Sequence, residues 1–276
     1  MLGAALDRQG NLILVTQSTN AARPQVVSTL NPAGHLLWTR GAEPWRDGAN
    51  AVGSSLAGSV MLSTDETGAI LVGATVHQSA ANSTYPAAAK ISPQGDLIWV
   101  QSHQKLRSPG AISSRLVGLT AALDGKLAML IEEVVPRVLQ PWPDAMEVTG
   151  LVTTYLSPAG TPEWTRFFGS SEGHCNGGAL AIDREGNVLV GGTLNVPRFS
   201  DPPGFLPITN ARLLLLCYSA DGVLRWGQPT GPQLGSLQVC NVAIGHAGDS
   251  YVLGTSLAKN SFSFQVYAYT SAGDLR

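Results

Sequence analysis

The chain has 276 residues, of which 44% are apolar and only 13% charged, with a formal net charge of −2. That is enough apolar side chain for a large core, while the missing basic excess argues against a nucleic-acid partner. The longest near-continuous apolar run, residues 213–218, is far short of a membrane span, so no transmembrane segment is expected. Met1 to Arg8 carries neither the basic nor the apolar part of an export signal. The 31 glycines and 17 prolines favour many short strands joined by turns over long helices.

Taken in chain order, the sequence divides into five copies of one pattern, at approximately 1–57, 58–115, 116–177, 178–240 and 241–276. The first copy opens on the small residues Gly3, Ala4 and Ala5. It then turns at Asp7-Arg8-Gln9-Gly10-Asn11, turns again at Asn31-Pro32-Ala33-Gly34, and reaches Trp38. The second has Ser59 and Ser63, the turns Asp65-Glu66-Thr67-Gly68-Ala69 and Ser92-Pro93-Gln94-Gly95, and Trp99. The third has Gly118 and Ala121, the shorter turn Leu123-Asp124-Gly125-Lys126, then Ser157-Pro158-Ala159-Gly160 and Trp164. The fourth shows the pattern in full: apolar runs at 179–182, 188–194, 213–218 and 223–226, divided by Asp183-Arg184-Glu185-Gly186-Asn187 and Ser219-Ala220-Asp221-Gly222, with Trp226 in the last. The fifth has Ala243, Gly245, the turn His246-Ala247-Gly248-Asp249, and Ser271-Ala272-Gly273 before Arg276.

Each Trp stands four residues after the glycine of the second turn, and successive Trp residues are 61, 65 and 62 apart. The first-turn glycines are 58, 57, 61 and 62 apart, so two independent markers share one period. Four apolar runs per copy, named A to D, define a four-stranded antiparallel sheet with tight A–B and C–D turns, in which Gly supplies positive φ and Asp or Asn caps local amides. Apolar residues on both faces of B and C are expected of sheets sandwiched between neighbours, and small A-strand residues suit a crowded centre. The expected fold is all-β, a β-propeller of five tandem blades. Helical solenoids lack a matching 3.6-residue period here, and a sandwich would not repeat at one period. The offset of four would place the fifth Trp one residue beyond Arg276, so the fifth D strand is expected to be incomplete and the chain to be part of a propeller of about six to eight blades.

These residues resemble the bacterial β-propeller repeats often called SBBP repeats and, more distantly, the NHL repeats. Asp183, Gly186, Asn187, Gly191, Thr193, Gly222 and Trp226 carry the resemblance in the fourth copy. Asp7, Gly10, Asn11, Pro32, Gly34 and Trp38 carry it in the first, and Asp65, Gly68, Gly73, Thr75, Pro93, Gly95 and Trp99 in the second. The third copy departs from it: its A–B turn is short and its B strand, 127–134, has no Gly-x-Thr. The resemblance implies an interaction or spacer module of secreted or cell-surface bacterial proteins.

In such a blade the short A–B and C–D turns share one face and the B–C and D–A connections share the other. The B–C segments 20–25, 77–86, 135–150, 195–211 and 257–263, and the D–A segments 41–58, 101–115, 168–177 and 227–237, are long and differ in every copy. Variable loops on a rigid scaffold are where binding usually sits, and Arg and aromatic residues dominate binding energy. The candidate binding residues are Trp45, Arg46, His77, Tyr85, His103, Arg107, Trp142, Asp144, His174, Arg198 and Phe199. Trp38, Trp99, Trp164 and Trp226, with Gly34, Gly95, Gly160 and Gly222, are assigned to structure. No catalytic set emerges: His174 and Cys175 are sequence neighbours, and neighbours seldom form a nucleophile–base pair. One carboxylate per A–B turn is too few for calcium, and the histidines lack metal-ligand spacing, so neither metal nor cofactor is expected. Three cysteines, Cys175, Cys217 and Cys240, allow one bridge or none.

The function expected from these features is a non-enzymatic scaffold that holds a protein or small ligand on its long-loop face. Two alternatives stand beside it. The Gly-x-x-x-Trp strand also resembles the tryptophan-docking motif of quinone-dependent dehydrogenases, whose calcium-binding carboxylates have no counterpart here. A glycan-binding propeller would favour a polar and aromatic cluster repeated in each blade, and the loops repeat none.

Overall fold

The computed structural model describes residues 3–17, 25–41, 54–56, 60–78, 83–103, 111–138, 145–170, 173–196, 211–230, 236–258 and 261–276. Among them there is no α-helix, and twenty strands form five antiparallel sheets in chain order. Blade 1 is β1 (Gly3–Leu6), β2 (Leu12–Gln17), β3 (Gln25–Leu30) and β4 (Leu36–Gly41). Blade 2 holds β5 (Ser54–Leu56) and β6 (Met61–Thr64), both paired with β7 (Ile70–Gln78), then β8 (Ser83–Ile91) and β9 (Leu97–Ser102). Blade 3 is β10 (Ser113–Ala121), β11 (Leu127–Val138), β12 (Ala145–Leu156) and β13 (Pro162–Phe168). Blade 4 is β14 (His174–Ile182), β15 (Val188–Asn195), β16 (Ala211–Tyr218) and β17 (Leu224–Thr230). Blade 5 is β18 (Ser236–Ile244), β19 (Ser250–Ala258) and β20 (Ser261–Tyr269), with a single bridge from Tyr269 to Leu275 at the position of its outer strand.

The fold is a β-propeller, as the repeat requires. The A strands start earlier than the sequence pattern indicates, so the repeat borders drawn at 115, 177 and 240 fall inside β10, β14 and β18. The register of these three strands shifts between Leu116 and Gly118, Gly177 and Ala179, and Val239 and Asn241. A bulge at one recurring place bends each inner strand and re-aims the residues that precede it.

The A–B turns form as their residues dictate. Asp7 Oδ1 accepts the amides of Gln9 and Asn11 at 2.9 and 2.8 Å, while the Asn11 side chain donates to Asp7 Oδ2 at 2.8 Å. Asp183 and Asn187 repeat this at 2.8 and 2.7 Å. In blade 2 the Asn position is Ala69, and Lys90 of β8 pairs with Asp65 Oδ2 at 2.8 Å instead, both side chains being buried. Burial by itself would raise the Asp65 carboxyl. Hydrogen bonds from Lys90 and Thr67, and the Lys90 charge, bring it below its ordinary value.

Tryptophan joins each blade to the next. The indole N–H of Trp38 donates to Pro93 O at 2.8 Å, and those of Trp99, Trp164 and Trp226 donate to Pro158 O, Ala220 O and Ser271 O at 2.9 Å. Every acceptor is the second residue of the following blade's C–D turn. The turn's glycine has positive φ, and its missing Cβ makes room for the indole: a Cβ on Gly95 would lie 2.8 Å from Trp38, and one on Gly222 2.7 Å from Trp164. Only Trp164 is fully buried; Trp38, Trp99 and Trp226 are half-buried, because they cap a turn and do not lie deep between sheets. Gly34 shares the φ of the others but has no atom within 4 Å of its Cβ position. The backbone strain of Ala is therefore common to both sites, and Gly95→Ala will cost about 1–3 kcal/mol more than Gly34→Ala. Equal shifts of the two in denaturant unfolding would remove the indole from the account.

Four apolar clusters fill the seams between successive blades. Ile13, Val27, Ile70 and Ala89 lie between blades 1 and 2, and Leu71, Ala88, Met129 and Leu156 between 2 and 3. Leu130, Tyr155, Val190 and Leu216 lie between 3 and 4, and Leu189, Leu215, Val242 and Val252 between 4 and 5. Neighbouring residues such as Ile70 and Leu71 serve opposite seams, the period of two expected of a strand covered on both faces.

Candidate functional site

Seven of the candidate loop residues, Trp45, Arg46, Arg107, Trp142, Asp144, Arg198 and Phe199, lie outside the described residues. The other four are placed. His77 and Tyr85 are not in a loop: β7 and β8 stay paired as far as Gln78 and Ser83, with His77 opposite Thr84. The connection is thus residues 79–82, shorter than the expected 77–86. Tyr85, at 6% exposure, is a core residue between blades 1 and 2, and His77 is half-buried. Strand extension also shortens the 135–150 and 257–263 connections to 139–144 and 259–260. His174 opens β14 and is half-buried, and Cys175 beside it is buried. None of the three cysteines is in a disulfide, and burial pushes the Cys217 thiol up to about 11.

The long-loop ends of blades 2, 3 and 4 meet around two carboxylates that sequence reasoning passed over, Glu132 and Glu133. They stand in the otherwise apolar β11, which is their one signal in the sequence: adjacent acids in a strand covered on both faces. Being neighbours, they point to opposite seams. Glu133, 0% exposed, faces blade 2, where its Oε1 lies 3.3 Å from Nε2 of His103, itself 1% exposed. Nδ1 of His103 has no hydrogen-bond partner among the described residues. Glu132 faces blade 4: its Oε1 accepts the Gly177 amide at 2.7 Å, and its Oε2 takes both Nε and Nη2 of Arg115 at 2.6 Å. The carboxylate is buried while the Arg115 side chain is 64% exposed. Its guanidinium is thus pinned from below and open above.

One step nearer the loops, the Thr149 amide donates to Nδ1 of His174 at 3.4 Å. That contact requires an unprotonated Nδ1, so the neutral ring carries its proton on Nε2. Burial pushes the His174 pKa below its ordinary 6.5. The unfolded chain therefore takes up a proton that the native ring resists, and stability from this residue, present above 6.5, declines as pH falls towards the lowered native value. His174→Gln will flatten the wild-type decline in melting temperature between about pH 7 and pH 5; an unchanged slope would show that His174 does not contribute to it.

Among the described residues no group of three or more His, Cys, Asp or Glu side chains could hold a metal ion. Arg115 on β10 and His174 on the neighbouring β14 place two polar donors at the long-loop end of the seam between blades 3 and 4.

No protein-family model matches the chain, and no curated protein is significantly similar to it. Solved structures are. An ulvan lyase, representing a new family of polysaccharide lyase and bound to -[GlcA(1-4)Rha3S]-, matches 99% of this chain and 68% of its own at 10% identity, with a TM-score of 0.60. The ulvan lyase without that ligand gives 0.59 at 10% identity over the same shares. A protein of unknown function from Dyadobacter fermentans matches 79% of this chain and 66% of its own at 11% identity, with a TM-score of 0.48. At such identities the likeness to the lyase establishes the propeller fold.

Proposed function

We propose that the protein is a carbohydrate-binding propeller that takes an acidic glycan on its long-loop face at the junction of blades 3 and 4. The observation that carries this is the Arg115 guanidinium, fixed on a buried carboxylate while its side chain is 64% exposed, with a half-buried His174 on the neighbouring inner strand β14 whose Nε2–H has no partner among the described residues. Donors held in place lose little freedom on binding, which is what a carboxylated or sulfated sugar needs from a shallow surface. The lyase with the same fold and an acidic saccharide bound supports the choice of ligand class. His103 Nε2 and Glu133 pair with each other below the surface, and their part is to hold the seam. The reading keeps the scaffold expected from the sequence and gives it a glycan in place of a protein; assignment of the repeats to the SBBP type is proposed with it, on the turn and Trp residues alone.

A glycan array spanning acidic and neutral oligosaccharides, followed by calorimetry on the strongest acidic hit, tests this. Arg115→Lys keeps the ion pair with Glu132 but loses the planar fork, and should weaken binding about tenfold. Retention of no acidic glycan, or unchanged affinity in both Arg115→Lys and His174→Gln, would overturn the reading in favour of a protein partner.

A further inference from the structure

The opposite, short-turn face has a feature of its own. Where the A–B turns of blades 3, 4 and 5 meet there is a groove of about 790 Å³, and an adjoining recess of about 280 Å³ shares Ala122, Leu123, Arg184 and Glu185 with it. The larger volume is that of a small-molecule site.

Two cations line this groove without a partner. Arg184 stands in the blade 4 turn and Arg225 on β17, and neither makes a hydrogen bond or ion pair among the described residues. Every other arginine whose side chain is described is engaged: Arg8 with Glu66, Arg40 with Gly95 O, Arg115 with Glu132, Arg166 with Gly222 O, Arg276 with Asp249, and Arg212 with a neighbour of its own. A second, independent irregularity lies in the recess. Tyr155 is fully buried, its ring stacked on Trp164 at 5.1 Å, and its hydroxyl has no hydrogen-bond partner among the described residues. Buried hydroxyls are normally satisfied, and one left open beside a cavity is a donor awaiting an acceptor. Burial, together with the charges of Asp124, Glu163 and Asp183, pushes this phenol up to about 12, so it keeps its proton.

The acids of the groove narrow the ligand. Asp183 spends both oxygens on its own turn, whereas Glu185 is exposed beside Arg184 and accepts a single long contact from Asn187. A bare anion would be drawn by the two guanidinia and repelled by Glu185. A ligand that carries hydroxyls next to its charge turns that carboxylate into a hydrogen-bond acceptor.

We infer that the short-turn groove is a second binding site, distinct from the long-loop face, for a small hydroxylated carboxylate of the sugar-acid class. Arg184 and Arg225 hold the carboxylate, Glu185 accepts from hydroxyls, and the Tyr155 hydroxyl donates to a ligand oxygen in the recess. Calorimetric titration with glucuronate, acetate and glucose tests it. Glucuronate should bind saturably to the wild type, with acetate and glucose each at least about tenfold weaker. Arg184→Gln and Arg225→Gln, both at exposed positions, should each weaken glucuronate about tenfold. Tyr155→Phe should weaken glucuronate while leaving the melting temperature of the ligand-free protein unchanged or higher, since it removes an unsatisfied buried hydroxyl; a purely structural tyrosine would not separate the two readouts. Absence of saturable binding, equal affinity for acetate and glucuronate, or no effect of the Arg184 and Arg225 variants would each overturn the inference.

Discussion

Lys90→Met will lower the stability of the protein by about 3–5 kcal/mol, because it leaves the Asp65 carboxylate buried without its counter-charge. The ammonium lies 2.8 Å from Asp65 Oδ2, with neither side chain open to solvent beyond a tenth. The repeat itself supplies the remedy. In blades 1 and 4 an Asn four residues after the Asp donates to the oxygen that Lys90 holds in blade 2. Adding Ala69→Asn to Lys90→Met should therefore recover a large part of the loss, although one substitution lies in the A–B turn and the other on β8. Denaturant unfolding of both variants decides it: a double variant no more stable than Lys90→Met would mean that Asn and Lys are not interchangeable here. The pH dependence follows from the lowered Asp65 pKa. Stability from this carboxylate is present above its unfolded value of 3.8 and is lost as pH falls through the lower native value, so removing Lys90 should bring the onset of acid unfolding to higher pH.

Trp164→Ala should cost a similar amount, about 3–5 kcal/mol, and clearly more than Trp38→Ala. Both indoles donate to a turn carbonyl of the next blade. Trp164 is in addition 7% exposed, lies parallel to Tyr155 at 5.1 Å, packs on Tyr218 at 5.7 Å and sits under Arg166 at 5.9 Å. Its removal opens a cavity across the seam between blades 3 and 4, whereas Trp38 is half-exposed and leaves a notch that water can fill. Equal losses for the two variants would show that the shared hydrogen bond, and not the aromatic stack, carries the energy.

The fold was legible in this sequence because its markers are local. A Gly with positive φ, an Asp that caps the amides two and four residues on, and a Trp four residues after the glycine of its own blade's turn each declare themselves within a few residues. What was not legible depends on distant partners. β7 and β8 run past the expected loop because Val76 and His77 find Tyr85 and Thr84 in register, and local composition around Pro86 reads as a turn. Glu132 and Glu133 become a site only through Gly177, 45 residues on, and His103, 30 residues back. The division of the blade 2 inner strand into β5 and β6 has no sequence signal that we can name. The free state of Arg184 and Arg225 is likewise invisible without knowing that other arginines have been claimed by backbone oxygens and acids.

The tryptophan joint has a consequence for how such a molecule changes over generations. Plug and socket belong to the same repeat: blades 2, 3 and 4 each carry the indole for their successor and the glycine turn for their predecessor. A repeat duplicated or deleted in frame by unequal recombination therefore brings a fitting joint at both borders and needs no compensating substitution. A point mutation at the glycine of one turn has no such freedom, since it strikes the backbone of one blade and the indole of another together. Blade number is thus expected to drift easily in genes of this kind, while the four residues from turn glycine to tryptophan stay fixed in spacing.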